Sequence, residues 1–213
     1  MSEDVQDGRL LRGLRSRRTI VRHAVDTASL EGLDGLSFGR LATDLNVGKS
    51  SVQTLFATKE RLQLAVVEAA GELFEEAVIR PALARPRGAE RLRALVEHWL
   101  AYAEQPLFPG GCFWAANLPE FDSRPGPVRD MLAGQQRAWR DRIAAELRHA
   151  VDDAGTSAGL DADLTAFQID AVLTAANTAM RLGDDTAAAK VRRVVDGLLA
   201  PPAGPGREMI TRS

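Results

Sequence analysis

The sequence predicts an all-α protein, and three observations carry that prediction. Apolar residues recur at i, i+3, i+4 and i+7 along most of the chain, the spacing that gathers them on one face of a helix. Alternating apolar and polar runs, the mark of half-buried strands, are missing. Helix breakers fall between the periodic stretches: Pro81, Pro86, Gly88, Pro106, Pro109-Gly110-Gly111, Pro125-Gly126-Pro127, Gly155 and Gly159. Of the 213 residues 45% are hydrophobic, enough to bury a core and to exclude wholesale disorder.

Roughly nine helices follow from the periodicity, near 17–31, 38–45, 49–56, 59–80, 88–104, 113–118, 126–154, 161–182 and 185–199. Phe38, Leu41, Ala42 and Leu45 form the stripe of the second, and Ser37 can cap it by accepting from a free backbone N–H. Asn46 stands where the chain must turn left-handed, which Asn tolerates best after Gly. Val47 is expected to tuck between the helix pair. Gly48 can serve as the next N-cap, with Val52 and Phe56 facing inward at i and i+4. Leu62, Ala65, Val66, Ala69, Leu73 and Ala77 carry the helix near 59–80. Leu92, Leu95, Val96, Trp99 and Leu100 carry 88–104, and Val128, Met131, Leu132, Trp139, Ile143, Leu147 and Val151 carry 126–154. Pro201-Pro202-Ala203-Gly204-Pro205-Gly206 cannot continue a helix, so 201–213 reads as a flexible tail. No internal repeat is visible.

Composition excludes several classes. A single Cys rules out an internal disulfide framework and any Cys-rich zinc site. No segment approaches the ~20 apolar residues of a membrane span; the longest charge-free piece of the apolar C-terminal region is Ala171–Met180. Met1–Arg18 has no apolar core of a secretory signal. A cytoplasmic protein with no membrane partner is expected.

The formal net charge of −2 hides an uneven distribution. Residues 9–61 hold ten basic and five acidic side chains, whereas 62–213 hold seventeen and twenty-one. A basic N-terminal third on a mildly acidic body points to an anionic partner, nucleic acid foremost, although basic helices are also often solvated faces. The stretch 37–56 sharpens this. With Val52 and Phe56 inward, Lys49, Ser50, Ser51, Gln53 and Thr54 face out, and no acid occurs from 45 to 59. Such a helix fits a major groove: Gln pairs with adenine edges, hydroxyls reach bases or phosphates, and Lys reads guanine or neutralises phosphate. A polar surface helix is the plainer reading; the tight turn and missing acids favour a helix-turn-helix that binds double-stranded DNA.

Residues about 17–64 resemble the N-terminal domain of TetR-type (tetracycline-repressor-like) regulators. The resemblance rests on Arg18-Thr19-Ile20 and Ala24, on Gly32 and Gly35 before Leu36-Ser37, and on Leu41-Ala42. It continues through Val47, Lys49-Ser50-Ser51-Val52 and Phe56 to Thr58-Lys59-Glu60-Arg61-Leu62. The family usually has Gly at Asn46 and Tyr at Gln53, where the Tyr commonly touches phosphate, so Gln53 contacts either phosphate or a base. The resemblance implies an N-terminal arm and three-helix DNA-binding domain over 1–62, and a larger helical effector-binding and dimerisation domain over 63–200. It places Arg17 and Arg18 near the DNA backbone, Ser37 at a phosphate on a helix N-terminus, and Lys59 as a phosphate clamp.

The segment 161–182 is apolar on two faces. Leu164, Phe167, Ala171, Ala175, Thr178 and Leu182 make one stripe; Ile169, Val172, Leu173, Ala176 and Met180 make another. One stripe suffices for a core, so the other either faces a second subunit or packs internally. Ala188, Val191, Val195 and Leu198 add a stripe on the last helix. The resemblance implies that the last two long helices form a homodimer bundle, with Phe167, Ala171, Ala175, Leu182, Val191, Val195 and Leu198 in the interface. Two recognition helices would then lie ~34 Å apart on a palindromic operator.

Aromatics are only 5% of the chain, yet Phe108, Phe113, Trp114 and Phe121 cluster around Cys112 and Asn117, with Trp99, Tyr102 and Trp139 on neighbouring helices. The rings either pack the core or enclose the effector cavity that the resemblance implies, lined by Trp99, Tyr102, Phe113, Asn117 and Trp139 and suited to a small lipophilic or aromatic molecule. The corner Glu120–Arg129 reads as a capping salt-bridge network or as a ligand entrance. Cys112 reads as a buried inert thiol rather than a redox switch.

An enzyme is the rival class. His23, His98 and His149 lie on three different predicted helices without metal-ligand spacing, and no nucleotide-binding glycine loop or GxSxG is present. No catalytic residue, metal ligand or cofactor is assigned; a Cys112–His98 pair is the remaining catalytic alternative, and a helical interaction protein with a non-regulatory helix-turn-helix is another. The expected function is a ligand-responsive repressor, in which an effector pivots the helix near 59–80 and changes the spacing of the reading heads.

Overall fold

A computed structural model describes residues 2–105, 107–152 and 160–200. All regular structure among them is helical: α1 (Ser2–Glu31), α2 (Phe38–Asp44), α3 (Lys49–Phe56), α4 (Lys59–Phe74), α5 (Arg80–Ala82), α6 (Ala89–Glu104), α7 (Phe113–Phe121), α8 (Pro127–Asp152), α9 (Ala162–Arg181) and α10 (Ala187–Leu199). A 3₁₀ turn, Leu33–Gly35, joins α1 to α2, and a π-helical segment, Glu75–Ile79, joins α4 to α5. The expected tail at 201–213 and the break at Gly155 and Gly159 lie outside the described residues.

α1–α3 wrap a small core of Ile20, Ala24, Leu36, Leu41, Val52 and Phe56. α4 packs on both α1 and α8, so it belongs to both halves of the molecule. In the body α6 packs against α8, α9 and α10, while α9 lies between α8 and α10.

Local chemistry explains the boundaries. Ser37 caps α2, its Oγ accepting from the Arg40 N–H at 3.2 Å. Asn46 takes the left-handed conformation expected of it, φ 51°. Gly48 is the N-cap of α3, and Thr58 caps α4 by accepting from the Arg61 N–H at 3.1 Å. Between α3 and α4, Ala57 adopts φ 61°, ψ −52°, while the Thr58 N–H donates to the Phe56 carbonyl at 2.6 Å. This is a γ-turn with positive φ, a strained form for a residue carrying a Cβ.

Four sequence expectations are corrected. α1 begins at Ser2 rather than near 17, because no proline interrupts 2–16 and its two glycines only lower helix propensity. Val47 is 42% exposed rather than tucked in. Its N–H closes the turn on the Ala42 carbonyl at 2.9 Å, and half-buried Leu45 with buried Val52 fills the space between the helices. The inward stripe of α4 includes Phe74, followed by Val78, while Leu73 and Ala77 are only partly buried. The helix near 59–80 is also not uniform: Arg80 N–H donates to the Glu75 carbonyl, i to i−5, just before Pro81, which has no N–H to give Ala77.

Candidate DNA-binding surface and internal cavity

The second helix of the helix-turn-helix presents Lys49, Ser50, Ser51, Gln53 and Thr54 to solvent, with Val52 and Phe56 buried beneath. Thr54 Oγ1 donates back to the Ser50 carbonyl at 2.8 Å, which orients its methyl group and lone pairs outward. Ser37, at the N-terminus of α2, is exposed, as is Arg18. Arg17 is half-buried, its guanidinium 5.1 Å from the centre of the Phe56 ring. Arg17 and Arg18 flank a shallow groove whose other wall carries Glu68 and Glu72 of α4 and Glu76 of the π-helical segment. Lys59 is exposed, but its ammonium turns onto the 3₁₀ turn, donating to the Asp34 carbonyl at 2.6 Å with the Asp34 carboxylate 3.9 Å away.

That turn is a junction between the two halves of the chain. Asn117 of α7 is buried and fully engaged: its Oδ1 accepts from the Leu33 N–H at 2.8 Å, and its Nδ2 donates to the carbonyls of Ala28 (3.2 Å) and Phe113 (2.8 Å). Gln63 of α4 donates to the Leu33 carbonyl at 3.0 Å. Glu120 accepts from the Asp34 N–H at 3.2 Å, and Arg124 pairs with the Asp34 carboxylate, holding that carboxyl below its ordinary value. The corner 120–129 is thus a salt-bridge network that grips the DNA-binding half; Arg129 completes it by donating to the Asp122 carbonyl at 3.1 Å. Two glycines allow the approach. A Cβ on Gly110 would overlap the Ser29 carbonyl, and Gly32, at φ 78°, lies against the Glu120 carboxylate.

On the far side of α7 lies a cavity of about 240 Å³. Trp99 and Trp139 line it as anticipated, but Tyr102, Phe113 and Asn117 do not. Phe113 is sealed in the core against Phe108, and Tyr102 sits behind Phe74, its hydroxyl accepting from the Phe113 N–H at 3.0 Å. Asn117 belongs to the junction. In their place stand Phe74 and Trp114, with a polar rim of Glu75, Gln135, Gln136, Arg142 and Asp170. Phe74 meets Trp114 and Trp139 edge-on at 5.0 and 5.3 Å. The sequence signal for Trp114 was the aromatic cluster itself; Phe74 and Asp170 gave none, because the cavity faces of α4 and α9 emerge only when both helices meet α8. Cys112 also lines the cavity, and burial pushes its thiol pKa up, against the thiolate that a nucleophile needs.

On α9 the stripe with Phe167 (57% exposed), Ala171, Ala175 and Leu182 (83% exposed) has no cover among the described residues, whereas Ile169, Leu173 and Ala176 are buried. On α10 the expectation is corrected. Val191 and Val195 are 1% and 2% exposed, already packed inside the protomer. Leu198 is half-buried, and Val194 is the large apolar residue that α10 leaves exposed.

A helix-turn-helix with an acid-free outer face, joined through one helix to a body with an aromatic cavity, defines the class of ligand-responsive DNA-binding regulators. Residues 88–195 match the family described as tetracyclin repressor-like, C-terminal domain. The chain belongs to that family, whose members are transcriptional regulators that bind operator DNA and small-molecule effectors and dimerise. Solved structures share the fold. A TetR transcriptional regulator from Chloroflexus aurantiacus is 21% identical with a TM-score of 0.78, over 88% of this chain and 94% of that one. A TetR-family regulator from Agrobacterium tumefaciens is 18% identical with a TM-score of 0.79, over 88% and 100%. AibR, solved with isovaleryl coenzyme A and operator DNA, is 19% identical with a TM-score of 0.72, over 87% and 98%. The search of curated proteins found no match. Among the described residues no helix is long and apolar enough to cross a membrane.

Proposed function

We propose that the chain is a homodimeric, non-enzymatic repressor of a palindromic operator, released when a small lipophilic or aromatic molecule enters the cavity beside Trp99, Trp114 and Trp139. The DNA-binding unit is 1–62 and the effector and dimer unit 63–200. Ser50, Ser51, Gln53 and Thr54 read the major groove with Lys49, while Arg17, Arg18, Ser37 and Lys59 hold phosphates. The uncovered stripe of α9, through Phe167, Ala171, Ala175 and Leu182, pairs with its copy, and Leu198 with Val194 extends that face.

One observation carries the coupling: α7 serves both sites. Its Trp114, Ala115 and Leu118 line the cavity, while Asn117 and Glu120 of the same helix hold Leu33 and Asp34, the turn on which Lys59 rests. α4 offers a second route, since Phe74 lines the cavity and Lys59 opens the same helix. A ligand that displaces either helix shifts the reading head. To empty a nearly saturated operator, it must favour the non-binding state by about 5 kcal/mol.

The test is fluorescence anisotropy of the purified protein on DNA upstream of its own gene, with a scrambled control and a salt series. Specific binding of one dimer per site, with a steep salt slope, is expected. Equal weak binding to both DNAs would remove this operator from the proposal, and no binding at low salt would overturn the regulator. Effector binding must weaken operator binding by the factor by which operator weakens effector binding.

A further inference from the structure

The proposed effector cavity has a charge balance that none of its apolar features explains. We infer that its ligand is a compact organic cation, held by Asp170 and by the faces of the tryptophans; this rests on the effector reading above and adds the charge of the ligand to it.

All three tryptophans of the chain, Trp99, Trp114 and Trp139, line this one cavity. Phe74 stands edge-on to two of them, which braces their rings. Aromatic faces carry the negative part of the ring quadrupole, and indole attracts a cation within about 6 Å more strongly than other rings do. A neutral apolar ligand needs only area; an indole whose face meets the ligand offers that and a negative potential as well.

Asp170 supplies the formal charge. Its carboxylate accepts from Gln136 Nε2 at 2.8 and 3.0 Å, and the Trp139 side chain is near enough to favour its charged form. Both side chains are neutral, and among the described residues no cationic side chain lies within 4 Å of it. Arg140 acts on it only at longer range, and burial raises its carboxyl above the ordinary value. An acid in this state gains most when a cation arrives beside it.

The rest of the lining does not reverse the balance. Glu75 and Asp170 face one cation, Arg142, which is paired with Glu75 at 3.5 Å. Arg142 Nε is buried and without a hydrogen-bond partner, which makes a carboxylate ligand the competitor. Such a ligand would share the guanidinium with Glu75 and add a third negative charge to the wall. At about 240 Å³ the cavity is smaller than those that hold drug-sized molecules, ~300–1,000 Å³, so the cation is a compact one.

Tryptophan fluorescence of the full-length protein reads occupancy directly. Three benzyl probes differ in charge: benzyltrimethylammonium, its neutral isostere neopentylbenzene, and the smaller anion phenylacetate. The ammonium is expected to bind about tenfold or more tighter than the isostere. Asp170→Asn is expected to erase that preference, and Asp170→Glu to keep it. Equal or tighter binding of neopentylbenzene or phenylacetate by the unmodified protein would overturn the cation and leave the effector cavity standing. Absence of a fluorescence change with all three probes would overturn the cavity as an effector site together with the cation. The probe comparison needs no variant, so a poorly folding Asp170 substitution does not blunt it.

Discussion

Lys59 and Asp34 make a contact that is both structural and electrostatic, and each has its own observable. Lys59 lies where a phosphate clamp is proposed, yet in the free protein its ammonium rests on the Asp34 carbonyl. Binding DNA therefore exchanges one acceptor for another. Lys59→Ala is expected to weaken operator and scrambled DNA alike and to flatten the salt slope by about 1, read from anisotropy across a salt series. Asp34 has a depressed carboxyl, first through its bond to Arg124 and then through the nearby charges of Arg124 and Lys59. Its stabilising contribution is complete above the ordinary carboxyl value of 3.8 and is lost as pH falls through the lowered one. Asp34→Asn is expected to remove this part of the acid sensitivity, seen as a smaller loss of Tm as pH falls below about 4. At this scale the sequence was legible wherever a backbone rule singled out a side chain, as at Asn46 and Ser37. It was silent at Asp34, because the partners of that carboxylate, Arg124 and Lys59, come from 90 and 25 positions away.

Helices were legible in kind, since period and breakers specify it, and in extent except where α1 runs on to Ser2 and a π-helical segment interrupts the helix after Phe74. The direction in which each one faces was less so. On α9 two apolar stripes were separable and one remains uncovered; on α10 the expected stripe turned inward, because Val191 and Val195 fill the gap between α6 and α9. Rotation about a helix axis depends on what it meets, which periodicity alone does not contain. The same applies to the cavity, where Trp99 and Trp139 were identified but Phe74 and Asp170 were not. Phe167→Glu places a charge in the centre of the open α9 stripe and is expected to shift a dimer to monomer in sedimentation velocity. The α3–α4 joint makes a separate demand. Ala57 holds a positive-φ γ-turn, and Ala57→Gly removes the Cβ that strains it at the cost of added freedom in the unfolded chain. The balance is expected to stabilise by about 1 kcal/mol, measured as a rise in the urea midpoint at unchanged slope.

For the whole molecule, the proposed division at 62/63 falls inside α4, a continuous helix that packs on both α1 and α8. Two units that share a helix and a network of buried hydrogen bonds are expected to melt together. A single calorimetric transition with equal van't Hoff and calorimetric enthalpies would agree with this, and two separated peaks would refute it. The glycine at 110 then limits how such proteins can be recombined. The loop carrying it lies so close to Ser29 that any side chain would strike the α1 backbone, and Asn117 supplies an acceptor and donors that the end of α1 needs. The reading head is not a transplantable module. A chimera that grafts 1–62 onto a relative's body would inherit an orphaned Leu33 N–H unless the graft also carried Gly110, Asn117 and Glu120, so exchange of DNA specificity within this fold has to move the socket along with the plug.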